Sequence, residues 1–96
     1  MKGAIASVEL FGILDDAPAR RLTLTISAPM RGPKGDGWEC RLALADLHRP
    51  STVRGSDSVE ALAKAINQAR EWLAELHAQG FTLYRDRGGE AAFEMF

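Results

Sequence analysis

The chain holds a single cysteine, Cys40, so no disulfide can form within it. That usage suits a reducing compartment. No excess of either charge is present: twelve Lys and Arg stand against thirteen Asp and Glu, a formal net charge of −1. Such a balance supplies no global attraction to nucleic acid or to an anionic membrane. Long apolar runs are missing too, and none approaches the roughly 18 residues that span a bilayer. Nor does the N-terminal stretch combine a basic start, a continuous apolar segment and a small-residue cleavage site. Together these absences predict a cytoplasmic protein without membrane contact.

What remains is an ordinary globular composition, 46% apolar and 26% charged over 96 residues. That length predicts one domain, 1–96, able to bury roughly 60–65% of its unfolded surface. No internal repeat or low-complexity run interrupts it. The charge is slightly uneven: residues 1–55 carry eight basic and six acidic groups, residues 56–96 four and seven.

Apolar periodicity divides the chain into strands and one helix. Residues 3–14 read as a strand with Ala4, Ala6, Val8, Leu10 and Leu14 on one face; the other face, with Ile5, Phe11 and Ile13, is mixed and expected to be partly covered. Asp15-Asp16-Ala17-Pro18 is a turn. Residues 20–28 alternate cleanly, with Leu22, Leu24 and Ile26 inward and Arg21, Thr23, Thr25 and Ser27 outward, the mark of a sheet with one wet face. Residues 31–37, rich in glycine, form the loop of a long hairpin. Residues 38–45 alternate again, with Trp38, Cys40, Leu42 and Leu44 inward. Residues 51–54 suit a short fourth strand after Pro50.

The clearest single signal is the helix start at Gly55-Ser56-Asp57-Ser58. Asp57 is the expected N-cap, accepting from the Glu60 amide while Glu60 reaches back to the Asp57 amide. Val59, Leu62, Ala63, Ile66, Ala69, Leu73 and Leu76 then recur at helical spacing, and Gly80 ends the helix as a left-handed cap. Residues 81–85 form a last strand. The segment 86–96 either returns as a strand or lies irregularly over the core.

Trp38-Glu39-Cys40, followed by Gly55-Ser56-Asp57-Ser58 and Ala61-Leu62-Ala63, resembles an uncharacterised family of small bacterial domains. Those domains share a Trp-x-Cys strand, a Gly-x-Asp-Ser helix start and a closing strand. The resemblance spans about residues 20–85. It implies the fold and a bacterial source, and it brings no activity with it.

Chemistry-bearing groups are few. Cys40, His48, His77 and Asp46 are the only parts from which a thiol site can be built, and such a site needs a base beside the sulfur. Cys40 shares a strand face with Leu42 and Leu44, so a core role is expected. One Cys and two unpaired His do not make a zinc pattern. Gly32-Pro33-Lys34-Gly35-Asp36-Gly37 runs into a strand, whereas a phosphate loop leads into a helix. No catalytic, metal or cofactor site is therefore expected. Arg21, Arg31, Lys34 and Arg41 form a candidate basic face, though without the exposed aromatics that nucleic-acid sheets use. Trp72 either completes the core or joins Phe93, Met95 and Phe96 in an apolar partner patch.

The expected fold is α+β: an antiparallel sheet of four to five strands with one long helix packed on one face, in the order β-β-β-(β)-α-β. The expected function is a non-catalytic module that binds another protein or itself as a homodimer. The alternatives are a nucleic-acid-binding domain using the basic face, and a small ligand-binding domain or enzyme built on Cys40 and a histidine.

Overall fold

A computed structural model describes residues 3–45 and 47–93. In chain order the elements are β1 (Ala4–Leu14), β2 (Arg20–Ser27), β3 (Met30–Arg31), β4 (Trp38–Leu44), β5 (His48–Gly55), α1 (Ser58–Ala78) and β6 (Phe81–Tyr84). All strand pairings are antiparallel. The six strands make one sheet: β5 lies on one side of β4, β2 lies on the other, and β1 and then β6 follow. The two-residue β3 continues the line of β2 along the same side of β4, so the sheet is five strands wide. The α+β reading and the single helix on one face therefore hold, with one more short strand than expected.

The inward residues of β2 and β4 form the floor of the core. Leu22, Leu24 and Ile26 pair with or lie beside Leu42 and Leu44, all buried, and Leu10 of β1 and Leu83 of β6 extend the floor. Burial of each such leucine contributes about 1.5–3 kcal/mol relative to leaving it exposed.

The helix meets this floor along a different line from the one periodicity suggests. Ala61, Ala65, Ala69, Trp72, Leu73 and Leu76 are buried, whereas Val59 is 76% exposed and Ala63 also faces outward. Leu62 and Ile66 pack on the shoulders of the contact. Hydrophobicity weights the large side chains, but the helix approaches through its alanines because a row of methyl groups lets its backbone come close to the strands. Asp57 caps the helix as expected, accepting from the Glu60 N–H at 2.7 Å. Glu60 folds back one residue further than expected and accepts from the Ser56 N–H at 3.0 Å. Gly80, with φ of 103°, ends the helix in the left-handed region.

Three further differences from the sequence reading have physical causes. The fourth strand is longer than 51–54, because β5 pairs with β4 along nearly its whole length. Arg31, read as the first residue of the loop, joins Met30 in two residues of ladder before the turn. Ser27, read as outward and wet, is buried: its hydroxyl accepts from the Arg41 N–H at 2.9 Å and donates to the Ala28 carbonyl, so the bend after β2 closes over it.

The segment after β6 turns back on itself. The Asp86 carboxylate accepts from the amides of Ala91 and Glu90, which holds its carboxyl below the usual range. Ala92 bridges to Tyr84, and the Phe93 N–H donates to the Leu83 carbonyl at 2.9 Å. Phe93 enters the core, and Arg85 lies over its ring. On the opposite sheet face Arg87 lies over Phe11, so the mixed second face of β1 is covered at that end.

The end of β5 touches the first turn of α1 directly. A β-carbon added to Gly55 meets the Ala61 backbone nitrogen at 2.5 Å and the Glu60 carbonyl carbon at 2.9 Å. Backbone cannot move aside as a flexible side chain does. Gly55→Ala is expected to destabilise the fold by about 1–3 kcal/mol, the range for overpacking. A fall in the urea midpoint of unfolding checks this; an unchanged midpoint refutes the close approach.

Candidate functional site

The described residues singled out from sequence for thiol chemistry lie on different parts of the fold. Cys40 is fully buried, and its thiol donates to the Ser27 carbonyl at 3.2 Å. Burial pushes the thiol pKa above its ordinary value, against a smaller opposing effect of the Ser27 side chain. His48 stands opposite Leu44, at the far end of β4 from Cys40. Its ring stacks on Trp72, with centroids 4.6 Å apart and planes 5° from parallel, and its Nε2 lies 4.0 Å from a Glu75 carboxylate oxygen. His77 is exposed in the last turn of α1. Asp46 lies outside the described residues. Among the described residues no group of three or more His, Cys, Asp or Glu is placed to hold a metal ion.

The candidate partner patch divides differently from expectation. Trp72 is 6% exposed and Phe93 7%, and both belong to the core, so neither offers an exposed anchor. Met95 and Phe96 lie outside the described residues. The candidate basic face is also split. Arg21 and Arg41 lie on the sheet face away from the helix, and Arg21 pairs with Glu9 at 3.7 Å. Arg31 lies over the ring of Trp38 and donates to the Gly35 carbonyl. Lys34 is exposed in the loop beyond. Arg54, beside Arg41 on β5, is held by Glu39 at 3.0 Å. Among the described residues, the aromatics Phe11 and Tyr84 meet on the outer face where β1 pairs with β6.

A different surface is left open by the way the elements meet. The helix starts beside Gly55 at the β5 edge and ends beside Phe81 at the β6 edge, so it crosses the sheet diagonally. Its backbone comes nearest to β5 and β4 and, at its end, to β6, and stands further from β2. Beside the helix, on the β1 side of the floor, lies a groove of about 260 Å³ lined by Ala6, Ser7, Val8, Leu24, Ile26 and Ile66, with Leu24 and Ile26 buried at its base and Val8 and Ile66 half-buried at its sides.

The same side carries an open backbone edge. β6 pairs with β1 only from Phe11 to Leu14, and no described residue pairs with the rest of that side of β1. Strand alternation shows which groups are open. The Thr23 carbonyl accepts from Ala45 on the β4 side, so Leu22 and Leu24 turn their backbone groups toward β1 and pair with Leu10 and Val8. The neighbouring Ser7 and Glu9 then direct their N–H and C=O groups away from β2, to the open side. The tail supports the same parity: Leu83 accepts from Phe93, so Tyr84 faces β1 and meets Phe11. A bulge between Ala4 and Ala6 limits the regular open run to Ala6–Leu10.

Sequence reasoning did not single out this edge. The signal was present as a mismatch of lengths, since the long first strand adjoins a last strand of about four residues.

Comparison with protein-family models, curated proteins and solved structures finds no match. No helix among the described residues is long and apolar enough to cross a membrane.

The environment of Cys40 sets two expectations. In the folded protein the thiol is inert to an aromatic disulfide reagent at neutral pH and reacts stoichiometrically in denaturant. Because its pKa is higher folded than unfolded, its contribution to stability is complete below the unfolded pKa and is lost as pH rises through the folded one. Urea titrations against pH check the second point: Cys40→Ala should remove part of the alkaline fall, and an identical fall in both proteins refutes it.

Proposed function

We propose that this chain is a non-catalytic binding module that takes up an extended polypeptide strand along the open edge of β1. The single observation that carries the reading is the coincidence of backbone groups at Ser7 and Glu9 that no described residue pairs with and the apolar groove beside them. An added strand gains main-chain hydrogen bonds from the edge, while its alternate side chains reach over the groove; this is the physics of strand addition. Open edges are otherwise an aggregation hazard, and the bulge at Ala4–Ala6 restricts this one.

The fitting segment is short and extended, with apolar residues at every second position. Those residues meet Ala6, Val8 and Ile66, while the alternate positions face Ser7 and Glu9 in water.

A peptide alternating Val and Thr, with terminal lysines for solubility, tests the reading. In dilute protein the Ser7 and Glu9 amides should exchange quickly, and the peptide should slow them by about tenfold or more, equivalent to roughly 1.4 kcal/mol. Ser7→Pro removes a donor that the β1–β2 ladder does not use. It should abolish the protection while changing stability by less than about 1 kcal/mol. Equal exchange with and without peptide, or protection that survives Ser7→Pro, refutes the reading.

A further inference from the structure

We infer that the strand received by the β1 edge is recognised through one large aliphatic side chain, presented opposite Val8 and seated between Val8 and Ile66, with Ile66 setting its size; this rests on the strand-addition reading. The edge confines recognition to that position. Val8 lies between Ser7 and Glu9, whose backbone groups point to the open side. The next inward position on one side, Ala6, adjoins the bulge, where regular pairing stops. On the other side, the space beside Leu10 is taken by Arg85 and the 86–90 turn, which run on from the Tyr84–Phe11 pair.

Strand alternation aims the side chain. In parallel and antiparallel pairs alike, directly opposed residues send their side chains to the same face. Val8 faces the helix side, so a residue opposite Val8 does too, and it meets the groove. Leu24 and Ile26, 3% and 6% exposed, are the base on which it rests. Ile66 is the one helix residue that lines the groove. It stands across from β1, so its bulk sets the width left for an incoming side chain. The flanking residues of the received strand turn to the outer face beside Ser7 and Glu9, where they stay in water.

Volume and lining decide what fits. The groove, at about 260 Å³, lies below the roughly 300–1,000 Å³ of sites that enclose a small molecule. No charged side chain lines it, so burial of an apolar group is the main source of affinity. A leucine buries more apolar surface there than an alanine. A tryptophan is larger, rigid, and brings an N–H that needs a partner.

Peptides Lys-Thr-Thr-Thr-X-Thr-Thr-Thr-Lys test the proposal, with X as alanine, leucine or tryptophan and affinity read from the slowing of hydrogen exchange at Ser7 and Glu9. The leucine peptide should bind at least about tenfold more tightly than either of the others. Ile66→Ala widens the groove and should raise the ratio of tryptophan to leucine affinity by about tenfold. Leu62→Ala shortens a neighbouring helix side chain outside the groove and should leave that ratio unchanged. Equal binding of the leucine and alanine peptides overturns the anchor. A ratio that Ile66→Ala leaves in place, or that Leu62→Ala shifts as far, overturns the role of Ile66. If the Val-Thr peptide still protects Ser7 and Glu9 in either case, strand addition stands and only the anchor is refuted; if no peptide protects them, both fall.

Discussion

One connection governs the molecule: a single helix must carry the chain from one edge of the sheet to the other. β5 and β6 lie on opposite edges and run in the same direction. The sheet is five strands wide, about 19 Å at the usual strand spacing. A helix of 21 residues spans about 31 Å at 1.5 Å per residue. A path that climbs the strands while crossing them is diagonal, and a diagonal cylinder cannot cover every corner of a rectangle. The alanines at 61, 65 and 69 make the crossing possible by bringing the helix close to the strands. Trp72, which stacks on His48, fills the corner beside the start of β5. At the opposite corner Ile66 covers Leu24 and Ile26 but leaves a groove beside Ala6 and Val8.

The same connection accounts for the open edge. The chain arrives at β6 from the top of the helix, pairs for four residues with the end of β1, and then turns at Asp86 to pack Phe93 into the core. The tail thus covers the outer side of β6, and no described residue pairs with the first half of β1 on that side. Edge and groove have one cause, which is why they lie together. The arginines, by contrast, are scattered among an ion pair with Glu9, a stacking contact with Trp38 and separate faces of the sheet. The lone thiol serves packing, buried between the strands and bonded to the Ser27 carbonyl.

Much of the architecture was legible in the order of residues. Period-two alternation in β2 and β4 follows from the pleat, which sends successive side chains to opposite faces. The cap at Asp57 and the glycine at position 80 mark the helix because free amides and a positive φ make local demands that few residues meet. Trp72 and Leu62 were harder to place, since a helix presents a broad apolar stripe and its centre depends on what faces it. The candidate site was the least legible part. Ala6, Val8 and Ile66 look like ordinary core residues in sequence, and Ile66 and Val8 are indeed half-buried.

The sequence by itself therefore determined the local elements: where strands alternate, where the helix begins and ends, and that one apolar face needs a cover. Those properties depend on neighbours a few residues apart. Only the tertiary structure decided which edge each strand occupies, that β6 would meet half of β1, and that the helix would lie diagonally through its alanines. These depend on residues far apart in the chain and on the length one helix has available to close the sheet, and no local pattern records them.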